Sequence, residues 1–141
     1  MNDPRRAHLI APLAGLLLMA GCSGAARLTL SDVQTVRHIK GTRLSLMTAA
    51  RAFTQKELFK ISSYEEQSGR VLAFRNTSMG RQNESRMVIM HLTILPEAED
   101  SCEVTARFVF AKDPGYMTRD EQDMLLECYR LLFDELVRGG D

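Results

Sequence analysis

Met87-Val-Ile-Met-His-Leu-Thr-Ile-Leu95 and Cys102-Glu-Val-Thr-Ala-Arg-Phe-Val-Phe110 decide the fold. In both runs alternate residues are apolar, which is the period-two signature of a strand with one buried face. Val88, Met90, Leu92 and Ile94 share a face of the first run, and Val104, Ala106, Phe108 and Phe110 share a face of the second. The link beginning Pro96-Glu97-Ala98-Glu99-Asp100 is polar and short, so the two runs read as neighbouring antiparallel strands.

Working outward, Phe59 to Tyr64 and Arg70 to Arg75 flank Glu65-Glu66-Gln67-Ser68-Gly69, a second hairpin signal. Asn76 to Arg86 is polar apart from Met79 and reads as a long connection. Pairing Leu92 with Val104, and Phe74 with both Val88 and Ile61, gathers Phe59, Ile61, Leu72 and Phe74 onto the apolar face already defined. Two helices can cover that face. From Thr42 to Gln55, Leu46, Ala49, Ala50 and Phe53 form one stripe, with Thr48, Arg51 and Gln55 opposite. After the turn Asp113-Pro114-Gly115, Thr118-Arg119-Asp120-Glu121 is a capping box, and Leu125, Tyr129, Leu132 and Leu136 follow as a stripe flanked by Cys128 and Phe133. Gly139 and Gly140 are expected to stop this helix after Arg138. The fold class expected is α+β: a two-layer α-β-β-β-β-α domain over residues 42–138, with a four-stranded antiparallel meander and both helices on one face. Residues 28–40 allow two readings. Ser31 and Gln34 suit a capped helix ended by Gly41, whereas Val33, Thr35, Arg37 and Ile39 alternate as a strand would.

The N-terminus carries an address. Arg5 and Arg6 precede an uncharged apolar run from Leu9 to Met19, and small residues Ala20 and Gly21 follow. The run is about half the roughly 20 residues that a membrane span needs, so residues 1–21 read as a secretory signal peptide. Leu18-Met19-Ala20-Gly21-Cys22 resembles the lipobox of bacterial lipoproteins. That resemblance implies cleavage before Cys22, a diacylglycerol on its sulfur and an acyl chain of the palmitate kind on its new amino group. Several acyl chains exceed the two-signal threshold for stable anchoring, so the covalent lipid on Cys22 would hold the chain on a bilayer without spanning it. Ser23, and not Asp, follows Cys22, which by the same resemblance implies the outer membrane, periplasmic face. Residues 22–41 are then the lipidated tether and leader.

The domain's element order is similar to the helix-grip domains of the C-type accessory lipoprotein of the outer-membrane β-barrel assembly machine. The features that carry the likeness are Ala49-Ala50 leading into Phe59-Lys60-Ile61, the return Gly69-Arg70-Val71-Leu72, and a closing helix with Tyr129 and Phe133. The lipopolysaccharide-transport E lipoprotein has the same order, and Glu121-Gln122-Asp123-Met124 looks like the opening of its last helix. Both resemblances imply a binding or scaffolding accessory of the cell envelope, with no catalytic residues to carry over.

The rest of the 141 residues agrees with a binding role. With 18 Lys plus Arg against 18 Asp plus Glu, the chain lacks the basic surplus a nucleic-acid binder needs. No zinc-protease, phosphate-loop, dinucleotide or nucleophile-elbow motif is present, so neither an enzyme nor a metal or other cofactor is expected. His8 leaves with the signal, and His91 falls on the sheet face away from the helices. Glu65, Glu66, Glu97, Glu99 and Asp100 read as solvated turn charge. Cys102 and Cys128 face one core and suit either a disulfide or two buried thiols. The second sheet face is more apolar than solvent requires, which marks either a partner site or a surface covered by residues 28–40. Val71, Ile89, His91, Leu95 and Val109 on that face, with Met124 and Leu131 on the flank of the last helix, are the candidate contacts with an envelope protein or lipid. The alternative function is a periplasmic carrier that holds a lipid or other apolar ligand between the C-terminal helix and the sheet.

Overall fold

Five antiparallel strands and two helices make up the computed structural model, which describes residue 33 and residues 35–80, 82–112 and 117–141. The signal peptide, the lipobox with Cys22, and the Asp113-Pro114-Gly115 turn lie outside the described residues. In chain order the elements are β1 (Val36–Lys40), α1 (Arg43–Lys56), β2 (Lys60–Glu65), β3 (Arg70–Met79), β4 (Glu84–Ala98), β5 (Ser101–Phe110) and α2 (Arg119–Gly140). The sheet order is β1-β5-β4-β3-β2, and α1 and α2 pack against each other on one face.

The α+β class and the meander from β2 to β5 match the pattern of alternation. The sheet has a fifth strand, however, because the leader segment takes the strand reading. β1 runs antiparallel to β5, from Val36 opposite Thr105 to Lys40 opposite Ser101. Without it, β5 would present an edge of unpaired backbone groups. Ile39 enters the core, and the Arg37 guanidinium lies 3.9 Å over the Phe133 ring of α2. Beyond the end of β1, the backbone N–H of Phe108 donates to the Tyr129 hydroxyl at 2.9 Å, so a helix side chain satisfies a strand donor.

The segment 76–86 is not a loop. β3 and β4 stay paired from Arg70 opposite Thr93 to Met79 opposite Glu84, and the chain reverses near Gly80 and Asn83, both at positive φ. This ladder sets the register of β3, and it differs by one residue from the expected pairing: Phe74 lies opposite Ile89, and Arg75 opposite Val88. A one-residue shift exchanges the faces of a strand. Val71 and Ala73 therefore enter the core beneath the helices, at 2% and 0% exposure, while Leu72 and Phe74 turn to the other side, which is a correction to both sets. Between β4 and β5 the shift is two residues, Leu92 pairing with Ala106, and every side chain keeps its expected face. A bulge between Ile61 and Ser63 interrupts β2, and Ile61 is exposed instead of buried.

Phe53, Phe59, Phe108 and Tyr129 meet at ring separations of 4.9–6.1 Å and tie α1, the start of β2, β5 and α2 together. Thr42 caps α1 by accepting from the Ser45 N–H at 3.1 Å. The expected capping box opens α2: Glu121 N–H donates to Thr118 Oγ1, and Thr118 N–H donates to a Glu121 carboxylate oxygen. Gly139 and Gly140 do not stop α2, which runs through them. A Cβ at Gly139 would come within 2.4 Å of the Ala49 Cβ of α1, so this glycine permits close helix contact and not termination.

Candidate functional site

Both helices cover the same face of the sheet, which among the described residues leaves the other face without a covering helix. Alternation places Leu72 and Phe74 of β3, Met87, Ile89, His91 and Leu95 of β4, and Val109 of β5 on it. Phe74, Ile89 and Val109 are direct cross-strand neighbours and form one apolar row. The next row is Leu72, His91 and Arg107, whose polar ends border it. A shallow depression of about 220 Å³ beside Leu72 and His91 is also lined by Ser63, Glu65, Arg70 and Thr93.

Of the candidate contacts, Ile89, His91, Leu95 and Val109 lie together on this face. Val71 does not, because the β3 register buries it among the helices. Met124 and Leu131 are partly buried against the core on α2, which places them on the helix layer and away from the sheet residues. Leu72 and Phe74 belong to the face in their stead. Only the ladder of residues 76–79 with 84–87 could have revealed this, and apart from Met79 and Met87 its composition is polar and resembles a loop.

Cys102 and Cys128 are free thiols buried in separate places, so the disulfide reading does not hold among these residues. Cys102 lies where β5 meets β1, and its Sγ donates to the Gly41 carbonyl at 3.4 Å. Cys128 lies on α2 beneath the middle of β3, where its Sγ accepts from the Arg75 guanidinium at 3.6 Å. Burial pushes the Cys128 thiol up to about 11, against the pull of Arg75. Such a thiol is not a nucleophile at neutral pH.

A third constellation joins Glu97, which reads from sequence as solvated turn charge, with His38 and Glu103, which the sequence does not single out. His38 of β1 lies directly opposite Glu103 of β5, and Glu97 reaches them from the β4 bulge, with His38 Nδ1 donating to Glu97 Oε2 at 2.6 Å. The hydrogen bond to Glu97, then the charge of Glu97, with a smaller contribution from Glu103, raise the His38 pKa above its ordinary value. This grouping needs β1 beside β5, and the ambiguity of residues 28–40 concealed that pairing.

Taken together, these features define a two-layer α+β domain with one sheet face open among the described residues. It is similar in fold to a chain in the crystal structure of the adenylate sensor from AMP-activated protein kinase in complex with 5-aminoimidazole-4-carboxamide 1-β-D-ribofuranotide (ZMP). The TM-score is 0.52 at 9% sequence identity, over 74% of this chain and 96% of that chain. No protein-family model matches the chain, and no curated protein matches it. Among the described residues, no helix is long and apolar enough to cross a membrane.

Proposed function

We propose that this protein is a non-enzymatic lipoprotein of the bacterial outer membrane, anchored through Cys22, whose open sheet face binds another envelope protein. The observation that supports it is the apolar row of Phe74, Ile89 and Val109 on the face that neither helix covers. Such a row fits the apolar centre of a protein interface, and the flanking His91 and Arg107 fit its polar rim. A lipid-carrier reading needs a cavity between α2 and the sheet. That layer is filled by Met90, Leu92, Phe108, Leu125, Leu132 and Phe133, each at most 3% exposed, which favours the protein-binding reading.

The anchor is tested by metabolic labelling with a fatty acid. Wild-type chain should incorporate label and sediment with membranes, and Cys22→Ala should do neither. A Cys22→Ala chain that is still labelled, or still held on membranes, contradicts the proposal.

A further inference from the structure

We propose that His38, Glu97 and Glu103 form a binding site for a divalent transition-metal ion of the zinc class on the open sheet face. One ligand atom from each residue lies within 4.8 Å of the other two. Zinc holds nitrogen and carboxylate ligands at about 2.0–2.2 Å in a tetrahedron, so its neighbouring ligand atoms stand roughly 3.4 Å apart. His38 Nδ1 and Glu97 Oε2 stand 2.6 Å apart and all three ligand atoms lie within 4.8 Å of one another, so side-chain rotation alone is needed to place them around one ion.

The backbone favours the arrangement in two independent ways. In the β1–β5 ladder, Ala106 N–H bonds to the Thr35 carbonyl and Gly41 N–H bonds to the Asp100 carbonyl. Alternation from those points makes His38 and Glu103 a non-hydrogen-bonded pair, the position at which opposed side chains approach most closely. Glu97 is the additional residue of the bulge between Pro96, opposite Cys102, and Ala98, opposite Ser101. Bulges re-aim a side chain, and here the one on β4 brings a carboxylate across β5 to an imidazole on β1.

The donor set selects the class of ion. Two carboxylates and a neutral imidazole carry two negative charges, which balance a divalent cation. Calcium takes six to eight oxygen ligands and magnesium an oxygen octahedron, whereas an imidazole nitrogen suits zinc or nickel. On binding, the proton between His38 and Glu97 leaves to solvent and the metal takes the nitrogen lone pair. The His38 side chain is 62% exposed, so three protein ligands leave the fourth position facing outward, open to water or to a ligand from another molecule. The site does not depend on the protein-binding reading.

Titration of the full chain with Zn²⁺ by calorimetry tests it, with His38→Ala, Glu97→Gln and Glu103→Gln in parallel. One Zn²⁺ per chain is expected for wild type, with binding weakened roughly tenfold or more in each variant. Metal-free thermal unfolding should be unchanged, since the three side chains lie outside the core. Co²⁺ in place of Zn²⁺ should give a ligand-field spectrum without a thiolate charge-transfer band. Absence of saturable binding, an affinity that the variants leave unchanged, or a thiolate band that assigns the ion to cysteine would overturn the proposal.

Discussion

Gly69 closes the β2–β3 turn at φ +70°, and its carbonyl accepts from the Ile94 N–H at 2.8 Å; a Cβ there would meet the Ile94 carbonyl oxygen at 2.0 Å. Left-handed backbone costs an L-residue about 1–2 kcal/mol, and the collision adds to it. Gly69→Ala should therefore destabilise the domain by at least about 2 kcal/mol in urea unfolding; a loss within experimental error would show that this turn is free to shift. Glu121 is a second residue with a defined cost. Its buried carboxylate accepts from Lys112 Nζ at 2.7 and 2.8 Å, from Thr118 N–H at 3.0 Å and from Arg86 Nε at 3.3 Å. Burial acts to raise its pKa, but Lys112, Thr118 and Arg86 together outweigh burial and the pKa is lowered. A carboxylate with a depressed folded-state pKa stabilises the protein above its unfolded value of about 4.3 and loses that contribution as pH falls through the folded value. Glu121→Gln should cost about 1–3 kcal/mol near pH 7. The gap between wild type and variant should close in acid-unfolding curves below about pH 4. A gap that widens there would reverse the sign of the argument.

The elements differ in how much of them can be read from sequence. α1, α2 and the core faces of β4 and β5 follow from long, strong periodicity, and a two-residue slip in the β4–β5 pairing left the faces intact. β3 is different because Val71-Leu72-Ala73-Phe74 is apolar on both faces, so alternation does not say which side is buried. The length of the hairpin settles it, and the polar residues 76–78 that extend the hairpin carry no hydrophobic signal. β1 was ambiguous for a related reason: the nine residues between a possible cap at Ser31 and Gly41 suit either a short helix or an edge strand. The candidate site inherits these limits. Ile89, His91, Leu95 and Val109 were legible from the strong strands, whereas Leu72, Phe74 and the His38 grouping depended on pairing. The β3 register makes a direct prediction. Val71→Ser should cost about 2–3 kcal/mol, because it empties a core position and buries a hydroxyl, while Leu72→Ser on the open face should cost less than about 1 kcal/mol. Equal costs, or the reverse order in denaturant titrations, would restore the other register.

For the whole molecule, the helix-covered face holds the fold, and among the described residues no helix covers the face proposed for contact. The acyl chains proposed for Cys22 would confine the domain to a membrane surface, where even a modest interface acts at high effective concentration. With 18 basic and 18 acidic residues the chain has no overall basic surplus, so the proposed attachment would rest on those acyl chains. The protein-binding account is tested most directly by a photocrosslinking residue placed at position 89 in intact cells, with the same residue at exposed position 130 on the outer side of α2 as the comparison. The account predicts a discrete higher-mass adduct from position 89 that position 130 does not give and that Phe74→Asp abolishes. Monomer alone from position 89 at native expression, or the same adduct from both positions, would contradict it.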